Sequence, residues 1–287
     1  MDTELLGFRW TDNEWEKALG TLRRQRKSLL ESRHEKVLQL TLKFGHSHPE
    51  TLHARLDLLP HSVDFRQGLE VSETLATDCK RALGVWHPTT VQARIKAARD
   101  ALDSEAEELH TTGIEALELL ATEQAQRHGS TDHHALTAQR ELTRARTRYT
   151  KHHGEGPRGE PPAVTLSTWS GLVLDHGLAL GANHPDTLCA WSMYGDDCCE
   201  LGDHQQEADC YAIEATRCGD AFGPSHPHSL DRRWQHLSTL VWHFADERAD
   251  QIAEVCGPLA KDCIRALGKD HLTTQNVLEA WAQLHHQ

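Results

Sequence analysis

One predicted helix of this 287-residue chain concentrates side chains that could do chemistry. Four of them follow one another at intervals of three and four residues: Cys189, Ser192, Asp196 and Cys199. A helix would place them along one stripe. Soft thiolates with a carboxylate could hold a metal ion, and Cys199 could instead be a nucleophile. No pair of His or Cys at the spacing of common metal sites accompanies the stripe, so the sequence predicts neither a bound metal nor a cofactor.

The 22 histidines also invite a metal or catalytic interpretation. Five of them occupy the same place in a recurring motif, however, which favours a role in stabilising a turn: His48, His87, His184, His226 and His271. The chain contains no HExxH, CxxC, GxSxG, P-loop or dinucleotide-binding glycine pattern. An enzyme is therefore not the favoured interpretation, although a site built from residues far apart in the sequence stays open.

The recurring motif reads Gly-x-x-His-Pro-x-Thr/Ser followed by an apolar residue. Its glycines are 39 to 52 residues apart, at Gly45, Gly84, Gly129, Gly181, Gly223 and Gly268. The copies at Gly129 and Gly268 are degenerate and lack the His-Pro pair. A period near forty residues predicts stacked helical units rather than a single globular core.

The motif has a direct physical interpretation as a junction between two helices. A Gly after an apolar periodic run ends a helix, because it adopts the left-handed conformation without a steric penalty. A Pro three or four residues later suits the first turn of the next helix, where its missing N–H costs nothing. Turns such as Gly202-Asp203 would separate the two helices within a unit.

These features resemble the tetratricopeptide repeat (TPR), in the roughly 42-residue variety of kinesin light chains. The resemblance covers about residues 30 to 285 and is strongest over Gly181–Leu230, where the His-Pro start, the Gly-Asp turn and the helix around Tyr211 all match. It implies an all-α, right-handed superhelical solenoid of antiparallel helix pairs. It also implies that the first helix of each pair lines a concave groove, and that the chain is a binding scaffold.

The resemblance also implies which residues line the groove. Counted from the motif His as position one, positions six, nine and thirteen give candidates that include His53, Gln92, Arg99, Arg140, Arg144, Ser192, Asp196, Asp231 and Trp234. The third copy lacks His-Pro, so two registers one residue apart stay open there. Kinesin-type repeats often carry an Asn pair that grips a peptide backbone, and none of the copies keeps it. This indicates a groove adapted to one particular ligand.

The function predicted from these residues is that of a protein- or peptide-binding module acting through its groove. Arg99, Arg140 and Arg144 could converge on one carboxylate or phosphate, which favours an acidic partner. The alternative is a small-molecule binder or enzyme in which the arginines hold an anionic group and Trp234 an apolar one. Pairing of these arginines with neighbouring Asp and Glu side chains is equally compatible with the sequence.

The predicted organisation has four parts. Residues 1–30 form a lead-in and capping helix, 31–151 and 164–287 form the two halves of the repeat array, and 152–163 form a Gly/Pro-rich loop or hinge.

Composition narrows the function further. The formal net charge of −13 argues against a nucleic-acid partner. The first residues lack a signal-peptide pattern, and no apolar run is long enough for a transmembrane helix. A cytoplasmic protein with eight reduced cysteines and no membrane partner is therefore expected.

Overall fold

The computed structural model describes residues 12–59, 65–104 and 106–285, with side chains for 27–59, 68–104 and 106–282. Every regular element within these ranges is a helix, which confirms the predicted all-α class. In chain order the helices are α1 (Asp12–Phe44), α2 (Pro49–Leu58), α3 (Phe65–Leu83), α4 (Pro88–Leu102), α5 (Glu107–His128), α6 (His133–His153), α7 (Pro162–Leu180), α8 (Pro185–Leu201), α9 (His204–Phe222), α10 (Pro227–Phe244), α11 (Ala249–Leu267) and α12 (Leu272–His285).

The junctions between repeats place a glycine with positive φ where the sequence predicts one, but ψ is 150° at Gly181, outside the left-handed helical region that was predicted. Gly181 ends α7 with a φ of 101°, a conformation that side chains with a Cβ rarely adopt. The same positive φ recurs at the other motif glycines: Gly45, Gly84, Gly129, Gly223 and Gly268. Each second helix of a repeat therefore ends at a residue that tolerates a positive φ because it has no Cβ.

The motif histidine caps the helix that follows. His87 Nδ1 accepts a hydrogen bond from the backbone N–H of Thr89 at 3.2 Å, and Pro88 occupies the first helical position. Equivalent caps are formed by His48, His184, His226 and His271. The ring nitrogen thereby satisfies a backbone donor that has no partner within the helix. The prediction that these histidines stabilise turns is confirmed.

The degenerate third junction uses a carboxylate instead. Asp132 Oδ1 accepts from the backbone N–H of His134 at 2.8 Å, so Asp132 holds the place of the motif histidine. This fixes the register that the sequence left open. Arg140 occupies position nine of the third first helix, and Arg144 occupies position thirteen.

Hydroxyl side chains at position four tie the new helix to the one before it at two junctions, those of α8 and α10. Thr187 Oγ1 donates to the carbonyl of Gly181 at 2.9 Å, and Ser229 Oγ donates to the carbonyl of Cys218 at 2.9 Å. Both hydroxyl groups are buried. Each therefore adds a buried hydrogen bond between the start of one helix and a carbonyl at or near the end of the helix before it.

The chain divides into two compact units, residues 1–105 and 106–287. In the first unit, α1 packs on α2, α2 on α3, and α3 on α4. Its core comprises Leu52, Leu59, Leu75, Cys79 and Ala93.

In the second unit each helix from α5 to α10 packs on the next, as do α10, α11 and α12. The first helices also contact one another, because α6 meets α8 and α10 meets α12, which places them along one side of the unit. The core has one cluster around Trp169 and Tyr194 and another around Leu237 and Leu259. No described helix has the length and apolar character needed to cross a membrane.

The Gly/Pro-rich segment lies inside the second unit, between α6 and α7. Arg158 donates to one carboxylate oxygen of Glu118 at 3.0 Å, and Arg146 donates to the other at 2.6 Å. Glu118 lies on α5, so the segment is tied to a neighbouring repeat. The expected hinge at residues 152–163 stays a prediction, as do the other predicted boundaries.

We expect His87→Ala to lower the free energy of unfolding by about 1 kcal/mol, because it leaves the N–H of Thr89 uncapped. This would lower the melting temperature by about 2–4 °C for a chain of this size. His87→Asp should restore most of the loss, as Asp132 does naturally. Thermal unfolding followed by circular dichroism measures all three proteins, and equal losses for Ala and Asp would contradict the capping role.

A close approach of α8 and α9 yields a second prediction. A Cβ at Gly195 would lie 2.6 Å from the ring of Tyr211, so Gly195→Ala should destabilise the protein by about 1–3 kcal/mol through overpacking. Gly177→Ala on α7 is the matched control, because a Cβ there meets nothing within 4 Å. That variant should gain a few tenths of a kcal/mol to about 1 kcal/mol. A neutral Gly195→Ala protein in urea unfolding would contradict this account.

Candidate functional site

Three of the nine candidate groove residues lie in the first unit. His53 on α2 is exposed, with Nε2 4.0 Å from Asp57 Oδ2, and Gln92 on α4 is exposed as well. Arg99 is half-buried near the end of α4. Because Arg140 and Arg144 belong to the second unit, the convergence of all three arginines on one anion stays a prediction.

The other six candidates lie in the second unit, two on each of three successive first helices. Arg140 and Arg144 are on α6, Ser192 and Asp196 on α8, and Asp231 and Trp234 on α10. The first helices of the repeats therefore supply all six, in the order that the register implies.

The basic side chains of α6 lie against carboxylates of α8. Arg140 Nη1 is 3.7 Å from Asp186, and Arg144 Nη2 is 3.5 Å from Asp196. Further along the same pair of helices, Lys151 Nζ is 3.7 Å from Glu200. These pairs form a charged seam between two neighbouring repeats, so an anionic ligand would have to share the arginines with carboxylates already present.

Arg140 is the least accessible cation of the seam. Its side chain is about nine-tenths covered, and its Nε and Nη1 atoms are buried without a hydrogen bond. The neighbouring His176 is fully buried, and burial, reinforced by the positive charge of Arg140, lowers the pKa of its imidazole to about 4. His176 is therefore neutral at pH 7, which avoids a second buried positive charge beside Arg140.

A second polar link joins α8 to α10 through Arg232, a residue that the sequence-based selection missed. Its guanidinium donates to Ser192 Oγ at 3.1 Å and to Asp231 Oδ2 at 2.8 Å. It also lies 3.7 Å from Glu214, a buried residue on α9. Burial raises the pKa of Glu214 to about 7, although the charge of Arg232 opposes the rise. Arg232 sits one position after a predicted lining residue, which is the signal that could have found it.

The carboxylates of the candidate set are more accessible than its arginines. The side chain of Asp231 is 47% exposed and that of Asp196 is 37% exposed, against 23% for Arg144. Tyr211 holds Asp196 in place by donating from its hydroxyl to Oδ1 at 2.8 Å. Trp234 is half-buried and packs against the C-terminal core cluster, so part of its ring is structural.

Asp197 lies beneath this surface as a buried acid. It is 1% exposed, and Trp169 Nε1 donates to its Oδ2 at 2.6 Å. Burial raises the pKa of Asp197 to about 7, against the opposing effects of Thr147 and Arg144. The carboxyl group is therefore partly protonated at neutral pH.

The stripe of Cys189, Ser192, Asp196 and Cys199 does not converge on one site. Cys189 Sγ contacts Met193 Sδ at 3.8 Å, whereas Asp196 is engaged by Tyr211 and Arg144. Burial, and to a smaller extent the neighbouring carboxylate of Glu207, raises the pKa of the Cys199 thiol to about 11. A protonated thiol is a weak nucleophile at pH 7, which argues against the nucleophile interpretation.

The remaining six cysteines are buried: Cys79, Cys198, Cys210, Cys218, Cys256 and Cys263. They behave as small apolar side chains of the core.

Two clefts described in the second unit lie between α5, α6 and α7, and none of the six candidate residues lines either of them.

Comparison with known proteins identifies the fold. No protein-family model and no curated protein matches the chain. A solved structure described as a kinesin light chain of Podosopora anserina with nearly identical TPR-like repeats is 16% identical, covers 84% of this chain and 97% of its own, and gives a TM-score of 0.51. A single-residue variant of the same protein gives the same identity and TM-score over 83% of this chain and 96% of its own.

This likeness shows that the chain has a TPR-like repeat fold of stacked helices. The predicted fold class and the resemblance to TPR-like repeats are thereby confirmed.

The buried acid yields a prediction about pH. Because the pKa of Asp197 is raised in the folded protein, the folded state binds more protons than the unfolded chain between about pH 4 and 7, and stability falls as pH rises through that window. Asp197→Asn keeps an acceptor for Trp169 but cannot ionise. Relative to the wild type, the variant should therefore gain on the order of 3 kcal/mol between pH 4 and 8. Urea unfolding at several pH values measures this, and parallel profiles would contradict it.

Proposed function

We propose that this chain is a protein-interaction module that binds an extended segment of a partner protein on the first helices of its second unit. The observation that carries the proposal is the row of partly exposed polar side chains, joined by ion pairs and hydrogen bonds, that runs from α6 across α8 to α10. It comprises Arg144, Asp196, Ser192, Arg232 and Asp231. A small-molecule site is the less supported alternative, because the two described clefts of this unit are lined by other residues and no observation points to a ligand on this row.

The acidic residues in the middle of the row favour a basic segment there. Helix α8 contains four acidic residues and no Lys or Arg, whereas α6 at one end of the row contains five Lys or Arg and one Glu. Asp196 and Asp231 are also the most exposed ionised candidates in this unit. Lys or Arg side chains of a partner would gain favourable electrostatic contacts here, and the net charge of −13 would speed their association.

An acidic segment is the competing possibility, as the sequence predicted. It would have to draw Arg144 away from Asp196, and it could reach Arg140 only by displacing the groups that cover it.

The proposed location is the cytoplasm, which is compatible with eight free cysteines in this chain.

The test uses fluorescent peptide libraries of basic, acidic and neutral composition, with binding to the full chain measured by anisotropy. Basic peptides should bind most tightly, and added salt should weaken their binding because it screens the charges. Replacing both Asp196 and Asp231 by Asn should reduce their affinity roughly tenfold, at about 0.5–1 kcal/mol for each exposed charge. Asp220→Asn on the outer helix α9 is the matched control and should have little effect.

Arg144→Gln separates the two partner chemistries. It removes a competitor for Asp196, so a basic peptide should bind as well or better. Preference for acidic peptides, with loss of binding in Arg144→Gln, would overturn the basic-segment proposal. An unchanged peptide affinity of the Asp196→Asn/Asp231→Asn double variant would place the interaction on another surface of the protein.

A further inference from the structure

The turn between α8 and α9 brings three metal-ligand side chains together. Cys199 lies in the last turn of α8, His204 is the first residue of α9, and Glu207 follows one turn later. A sulfur, a ring nitrogen and a carboxylate oxygen from these residues all lie within 4.8 Å of one another. Zinc bonds of about 2.0–2.3 Å require ligand atoms somewhat closer than that, so small side-chain movements would complete the site.

The carboxylate of Glu207 is already oriented toward the cluster. Glu207 is 5% exposed, and its Oε1 accepts a hydrogen bond from Thr239 Oγ1 at 3.1 Å. The other oxygen, Oε2, lies 3.0 Å from His204 Nδ1 and 3.9 Å from His243 Nε2. Supporting contacts of this kind fix the orientation of a ligand before a metal binds.

His243 on α10 stands beside the three ligands rather than among them. Its ring stacks on that of His204 with centroids 3.5 Å apart and planes 10° apart. Parallel rings cannot both direct their lone pairs at one ion, so His204 is the ligand and His243 is a positioning residue.

The electrostatic surroundings favour a cation. The carboxylate of Glu207 belongs to the cluster, and Asp196 and Glu200 lie on α8 within three residues of Cys199. A divalent ion would displace the thiol proton, and the thiolate and carboxylate would balance its charge.

A second group of described side chains has similar composition but a different environment. Glu214, Cys218 and His228 also bring ligand atoms within 4.8 Å. Arg232 lies 3.7 Å from Glu214, however, and its guanidinium supplies the positive charge there. A metal ion at this second group would meet that fixed cation, so among the described residues the group at the α8–α9 turn is the better candidate.

We propose that Cys199, His204 and Glu207 bind one divalent transition-metal ion with the ligand preference of zinc, with His243 positioning the neighbouring imidazole. A thiolate, an imidazole and a carboxylate match the ligands that zinc takes in proteins, with a fourth place for water. The ion would fasten the α8–α9 turn. This inference goes beyond the proposed partner binding and does not depend on it.

The test titrates the full chain, after metal removal with a chelator, against zinc in competition with a fluorescent zinc indicator. One tight site per chain is expected. Cys199→Ser, His204→Gln and Glu207→Gln should each weaken it by about 100-fold or more, and His243→Phe, which keeps the ring stack, by about 10-fold. Cys189→Ser, which changes another exposed thiol on α8, is the matched control and should bind like the wild type. Circular dichroism confirms that each variant is folded.

Cobalt identifies the sulfur ligand directly. The wild type and Cys189→Ser should show a thiolate-to-cobalt charge-transfer band in the near ultraviolet, and Cys199→Ser should not. Equal zinc affinity in the wild type and Cys199→Ser would mean that scattered histidines bind the ion, and the proposal would be overturned. Retention of the charge-transfer band in Cys199→Ser would overturn it as well.

Discussion

The structure depends on one small arrangement that recurs along the chain, the junction in which a glycine with positive φ is followed by a capping side chain. The glycine lets the backbone leave one helix, and a ring nitrogen or a carboxylate oxygen three residues later accepts a donor of the next. At two junctions the hydroxyl of Thr187 or Ser229 also donates to a carbonyl of the preceding helix. The first backbone donors of each new helix are therefore satisfied locally at the junction.

The local satisfaction of helix ends bears on the role of the polar side chains of the first helices. Since the caps already satisfy the helix ends, charged groups on the first helices are available to pair between repeats. Arg140 and Arg144 on α6 meet carboxylates of α8, and Arg232 on α10 reaches back to Ser192. The same side chains that would contact a partner thus also align one repeat with the next, which limits how freely they can rearrange on binding.

The fold could be predicted from the sequence because its determinants are local. A Gly stop and a His-Pro start are readable within ten residues, and their spacing implies the stacked pairs. The third copy follows the same register, with Asp132 at the position of the motif His.

The candidate site was less accessible to prediction because its chemistry depends on neighbours that are distant in sequence. Nothing local shows that Asp196 is held by Tyr211, or that Thr239 orients Glu207 from 32 residues away. The register selects residues by their position in the repeat and gives no information on how far a long side chain reaches. It therefore did not select Arg232. The pairing of Arg144 likewise requires knowing which carboxylate the adjacent repeat presents.

Local closure of the junctions has a consequence for how such a chain can change over generations. Removing or duplicating a segment from one motif glycine to the next would leave every helix cap intact, so a whole repeat is a natural unit of recombination. The charged seam between α6 and α8 restricts this freedom, because Arg144 finds Asp196 only when those two repeats are adjacent. The charge pairs between repeats therefore constrain the order of the repeats, whereas the backbone caps constrain neither their order nor their number.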